Sequence, residues 1–417
     1  MDIYAKFKKH VFPNGLELYS YQTPDVDDVD FEDIGFIVYA GHRQDPDGKE
    51  GLAHFIEHLA GDNCVMQKME IQDFFLRNGG DYKLGSTDLL KTTYEFSLLA
   101  DEEPLCQAFS IFSTILTSSN LKEREKERRR VFNEIIRAYG SEKENEIFEE
   151  SFKAVWGGHP YFGKAIRSLG TEKTFSAITD IDLKNFYDQY YVPANMAIVA
   201  YGAMTEEKLV EIISQTDFIA AKPGDRNPAP SQIFIPKILK NNLFFGRGTK
   251  DGNDRAWDYV SASALPGWIN SPAISIFSRS LDVVLKKRVQ NSELGLYRAN
   301  SLWRNYSDVY DFFVIVDAVP REKADEILRS VNESFLEVTA DCQLFEKVKG
   351  WCIASFKFND RNGRGFVNKV IGDLGLFQTI KTTTQTLKDI EKVSFADIQE
   401  VGKWLTPERR WAAFSQQ

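Results

Sequence analysis

The stretch "AAKPGDRNPAPSQ", residues 220–232, holds three prolines and a glycine and shows no apolar period. Neither a helix nor a strand can run through it, so it reads as a linker. Strand and helix patterns recur in loosely the same order on either side. Before it come the strand patterns "LELYSY", "DIGFIVYA", "TTYEFSLL" and "NMAIVAYG", interleaved with helical patterns at 52–60, 69–78, 101–118, 121–139, 181–190 and 205–215. After it come "WDYVSASAL", a helix at 272–290, "DFFVIVDAV", and helices at 321–337, 341–356, 367–376 and 394–405. Strands that leave and return around helices suggest an α+β layer and not a doubly wound parallel sheet. For 417 residues two or three domains are expected. We expect one domain over 1–219, a linker over 220–232 and a second domain over 233–417 that echoes the first.

Composition excludes several functions. Apolar residues make up 43% and charged residues 27%, enough for a packed core, and a net charge of −10 argues against a nucleic-acid partner. No apolar run approaches the roughly 20 residues that cross a membrane, so no membrane role is expected. "MDIYAKFKKHVFPNGLELYSY" has no apolar leader core, and we expect no secretory signal. Cys64, Cys106, Cys342 and Cys352 have no C-x-x-C spacing. That supports neither a zinc–cysteine site nor a disulfide framework, and points to a cytoplasmic location.

Two of the chain's five histidines fall in "GLAHFIEHLA", residues 51–60. Leu52 to Ala60 contains no Pro or Gly and reads as a helix. At about 3.6 residues per turn His54 and His58 lie one above the other, with Glu57 on the same face. Imidazoles one turn apart can both reach a zinc ion about 2 Å away. A carboxylate beside such a site can take the proton of an attacking water. Two histidines leave a catalytic zinc one protein ligand short. The helical pattern "EKERRRVFNEIIRAYG", residues 125–140, places Glu127 and Glu134 two turns apart on one face. By residue type alone these are either further donors or ordinary solvated glutamates. His10, ahead of the first strand, His42, in a turn, and His159, in a Gly-Gly-His-Pro loop, are given no metal role.

The order H-x-x-E-H is the inverzincin signature. With it, "YAGHRQDPDGKEGLAHFIEHL", "LRNGGDYKLGSTDLLKTTYEFSLL", "GHPYFGKAIRSLGT" and "DLKNFYDQYYVPANMAIVAYG" make the chain resemble the pitrilysin/insulinase metallopeptidases. It is closest in type to half-length members of the size of the mitochondrial processing peptidase subunits. The likeness is strong over residues 8 to about 215 and diffuse beyond. The family places a glutamate about 76 residues after the second histidine, as Glu134 stands to His58, and another seven residues earlier, as Glu127 does. The resemblance implies one Zn2+ per chain held by His54, His58 and Glu134, with Glu57 as general base and Glu127 orienting a ligand histidine. It implies two homologous α/β-sandwich domains, a duplicated fold, facing each other across a chamber. It also implies an endopeptidase acting on peptides or unfolded segments. Substrate strands would be added along residues 89–99, with Leu89, Thr92, Thr93 and Tyr94 in contact.

Two departures bear on that reading. The family's asparagine is missing about where Leu84 stands. Its Arg/Tyr pair, seven residues apart, is also displaced: Tyr297 follows Gly-Leu directly, Gln290 stands where arginine is usual, and Arg288 is out of register. Either Arg288 and Tyr297 substitute, or a homologous half-length partner subunit supplies the pair, as in bacterial heterodimeric members. The second is the expected arrangement. The alternative from another class is a non-catalytic scaffold or core subunit of the same fold. A structural-zinc protein fits less well, because no fourth Cys or His lies nearby.

Overall fold

The computed structural model describes residues 2–24, 31–61, 68–118, 124–139, 151, 153, 155–161, 164, 168–228, 234–236, 243–246, 257–290, 298–359 and 363–416. The chain forms two compact units, neither continuous in sequence. One gathers Met1–Ala138, Gly163–Ala229 and Asp360–Thr383; the other gathers Tyr139–Phe162, Pro230–Asn359 and Thr384–Gln417.

The first unit is built on a six-stranded sheet. Its strands are β1 (Lys8–Val11), β2 (Glu17–Gln22), β3 (Phe31–Val38), β4 (Asp81–Thr87), β5 (Thr92–Leu99) and β6 (Met196–Gly202), in the order β1-β2-β6-β3-β5-β4. The β2–β6 pair is parallel; the other pairs are antiparallel. The strand expected at 92–99 is therefore interior, flanked by β3 and β4, and among the described residues the open edge on that side belongs to β4. His10 lies within β1 and not ahead of it.

β3 is covered on both faces, which is why "DIGFIVYA" is almost wholly apolar. On one face Phe36 stacks on Phe112 of the helix Glu102–Thr117 with ring centroids 5.1 Å apart, and Phe96 meets Phe109 edge-on at 5.5 Å. On the other face Tyr19, Ile37, Tyr39, Ala197 and Val199 pack with Phe366, Val367, Val370, Ile371 and Leu374 of the helix Gly363–Phe377. Gly35 makes room for that helix, since a methyl built there would overlap Ile371 and Val367.

The second unit has a five-stranded sheet of β7 (Leu243–Gly246), β8 (Trp257–Pro266), β9 (Ala299–Asn305), β10 (Val309–Val319) and β11 (Trp411–Gln416), in the order β7-β11-β8-β10-β9. Helices Ser271–Leu285, Ala324–Ala340, Cys342–Asn359 and Phe395–Trp404 supply its core, with Phe277, Val331, Phe335, Val348 and Val401 buried against Phe312 and Val314. His159 is buried here. It accepts from the Tyr161 backbone N–H at Nδ1 (3.1 Å), so its Nε2–H donates to Asp308 (3.2 Å). Among the described residues no helix is long and apolar enough to cross a membrane.

Candidate metal centre

The motif helix α1 (Leu52–Ala60) is fixed at its N-terminus. The Asp45 carboxylate accepts the backbone N–H groups of Gly51 and Ala53, both at 2.8 Å, which would otherwise be unpaired at the helix start. Asp45 is fully enclosed, and burial pushes its carboxyl up to about 8 in spite of those two bonds. Gly51 has φ +96°, and a side chain there would also meet the Leu169 carbonyl. Leu52, Phe55, Ile56 and Leu59 go to the core, leaving Glu57 and His58 partly open and His54 just beneath the surface.

The second helix, α2 (Arg124–Tyr139), is tied to the first through Arg128. Its guanidinium lies over the Phe55 ring, 5.0 Å from the centroid. It also donates to the carbonyls of Phe175 and Ile178, both at 3.1 Å. With α2 so placed, Glu127 and Glu134 both reach the histidines. His58 Nδ1 donates to Glu127 Oε2 at 3.2 Å, and Glu127, with no exposed surface, also accepts from Arg130. His58 Nε2 is then free to be a ligand. It lies 3.2 Å from His54 Nε2 and 3.4 Å from Glu134 Oε2, which is 3.8 Å from His54 Nε2.

These three donors lie within 4.8 Å of one another. Bonds of about 2 Å at tetrahedral angles would set donors roughly 3.3 Å apart. Without a cation, a proton on one of the two Nε2 atoms would have to mediate the close nitrogen–nitrogen approach; with one, all three electron pairs are used. Two imidazoles and a carboxylate are a donor set that zinc takes in hydrolytic sites, so the residues fit the ion. Burial pushes His54 down to about 3, and the His58 ring adds to that, so His54 is neutral as a ligand must be. Burial would also lower His58, but its bond to Glu127 and the charges of Glu57 and Glu134 outweigh this and raise it.

Glu57 lies one position before His58 and is not among the three converging donors. Burial raises its carboxyl, against the lowering effects of His58 and of a hydrogen bond from Thr87 Oγ1 to Oε2 at 2.9 Å. Thr87 was not singled out in the sequence. The available signal was Gly85, since a glycine inside a strand pattern marks a bulge or a close approach.

Leu89, Thr92, Thr93 and Tyr94 are buried. Since β5 is paired on both sides, it offers no ladder to an incoming strand. In the second unit Arg288 donates to Glu337 (Nε, 2.8 Å) and Glu333 (Nη1, 2.7 Å). Tyr297 lies outside the described residues.

A family model described as Insulinase (Peptidase family M16) matches residues 26–167, which include both histidines and all three glutamates of the site. A second, described as the Peptidase M16 inactive domain, matches residues 177–350. The chain belongs to peptidase family M16. An uncharacterized zinc protease of Rickettsia felis is 25% identical to this M16 chain over 78% of it and 76% of the relative. The mitochondrial-processing peptidase subunit beta of Neurospora crassa is 29% identical over 54% of the chain, and the match spans only 44% of that subunit. The crystal structure of a protease from Helicobacter pylori superposes with a TM-score of 0.78 at 19% identity, covering 99% of each chain, which places the M16 chain in the same fold.

Proposed function

We propose that this M16 chain is a zinc-dependent endopeptidase that cleaves peptides or unfolded segments, and that His54, His58 and Glu134 hold one zinc ion. The convergence of these three donors beside a buried Glu127 carries the reading. Bound zinc supplies Lewis acidity toward water and the scissile carbonyl. Glu57 takes the proton of the attacking water and hands it to the leaving nitrogen, a role worth about 10²–10⁴-fold. Glu127 holds the His58 ring with Nε2 inward. The substrate lies as an added strand on the open edge of β4, whose main-chain groups supply affinity with little demand on sequence.

We further propose that a homologous half-length partner subunit completes the catalytic assembly. Supporting this, Gln290 stands where the family has arginine, and the Arg288 guanidinium is engaged by Glu333 and Glu337. One relative is itself named as a subunit. We place the chain in the cytoplasm, where Cys106, Cys342 and Cys352 would remain free thiols.

The test is metal analysis and peptide cleavage on the purified chain with any copurifying partner. One zinc per chain is expected, with weakened binding in Glu134→Gln and with zinc kept but cleavage lost in Glu57→Gln. A Glu57→Gln variant that cleaves at the parental rate overturns the reading. A zinc-free, inactive parent favours a scaffold subunit.

A further inference from the structure

β4 gains one residue against β5 between Lys83 and Ser86: Lys83 pairs with Glu95 but Ser86 pairs with Thr93. The extra residue forms a bulge at Leu84–Gly85. Such bulges re-aim a strand and recur beside active sites. Here the bulge carries the edge strand directly over Glu57. Gly85 has φ +153°, and a first side-chain carbon there would lie 2.6 Å from Glu57 Cδ and closer still to Cγ and Oε1. Two residues on, Thr87 turns its hydroxyl back to Glu57 Oε2 at 2.9 Å. Thr87 itself is held, since β4 returns to its register there and pairs with Thr92, whose hydroxyl donates to the Ala40 carbonyl at 2.9 Å. Glu57 is thus confined by a bare backbone on one side and a fixed donor on the other.

We infer that Thr87 is a positioning residue for Glu57, and that Gly85 is the clearance without which the carboxylate cannot occupy its place. This rests on the reading of Glu57 as general base. A carboxylate held by a fixed donor and walled by backbone needs less ordering when it takes a proton. A misplacement of about 1 Å can cost 10²-fold in rate. The same strand offers the open edge to substrate, so one element sets both the peptide's register and the base beneath it.

The experiment compares Thr87→Val, Thr87→Ser and Gly85→Ala with the parent. Thr87→Val is nearly isosteric but cannot donate. It is expected to lower kcat about 10–100-fold with KM within about twofold and zinc affinity by chelator competition unchanged. Thr87→Ser restores the donor and most of kcat. Gly85→Ala, with Thr87 intact, loses kcat in the same way. Crystal structures of the metal-free variants give a readout independent of turnover: the Glu57 carboxylate keeps its place in the parent and Thr87→Ser and leaves it in Thr87→Val and Gly85→Ala. Parental kcat in Thr87→Val, or an unmoved Glu57 in its structure, overturns the inference. Glu57→Gln separates the two levels. If it cleaves normally, the general-base reading has failed; if it is inactive while Thr87→Val is normal, only the positioning role has.

Discussion

The Nδ1 atom of His58 lies 3.2 Å from Oε2 of Glu127, a carboxylate with no exposed surface, and this contact turns the ring's other nitrogen toward Glu134. Glu127 pairs with Arg130 as well, so its charge is compensated from a second side. Replacing it with glutamine keeps the volume but removes the charge that raises the basicity of His58. Glu127→Gln is expected to weaken zinc binding about 10–100-fold. Competition against a chelator of known affinity measures it directly, and unchanged affinity would leave Glu127 a merely structural carboxylate.

His42 should make stability depend on pH. Burial pushes it down to about 4 from an ordinary 6.5, so the folded protein holds it neutral. Between those values the unfolded chain binds more protons. The stability His42 contributes is present above about pH 6.5 and is lost as pH falls toward 4, by up to about 3 kcal/mol. Urea unfolding of the parent and of His42→Gln at pH 7 and pH 5 tests this. The parent should lose more stability than the variant over that step, and equal losses would rule His42 out as the cause.

Gly35 sits under the helix Gly363–Phe377 with no room for a methyl. Overpacking of this kind costs about 1–3 kcal/mol. Gly35→Ala is expected to lower the thermal midpoint while zinc stoichiometry stays at that of the parent. An unchanged midpoint would mean that the helix rides over the sheet more loosely than its packing suggests.

Arg288 is held by two glutamates of the helix Ala324–Ala340. If the donors that complete the site come from a partner chain, Arg288→Ala should change peptide cleavage by the copurified assembly less than about twofold. Its stability cost should be no more than about 1 kcal/mol, since the pair is partly exposed. Full activity in a demonstrated monomer, abolished by this substitution, would return the role to Arg288.

Some of this was legible in the sequence and some was not, for physical reasons. The helix Leu52–Ala60 falls on the expected residues because nothing interrupts its period and Gly51 and Gly61 bracket it. The faces of Glu127 and Glu134 followed from helical spacing alone. The edge strand was misjudged. "TTYEFSLL" has the β-branched and aromatic content that suggests a strand because it is paired on both sides. "DYKLGST", the actual edge, carries charge and a glycine, as edge strands do to resist unwanted pairing. The same features hid Thr87, whose role depends on a bulge that no periodicity reveals. The helix Gly363–Phe377 could not be assigned to the first sheet, because its apolar stripe says that it is buried and not against what.

That helix has a consequence for how the protein comes into being. The strands it covers have all been made by residue 202, yet it follows the first unit's preceding segment, which ends at Ala229, by about 130 residues. At roughly 5–20 residues per second, a ribosome needs about 9–35 s to go from Gly202 to Phe377 and so to deliver it. Through that interval Ile37, Tyr39, Ala197 and Val199 lack their cover. Until that helix emerges, the order of synthesis leaves one face of the sheet bare, so the core of the first unit closes only after most of the second unit's chain has been made.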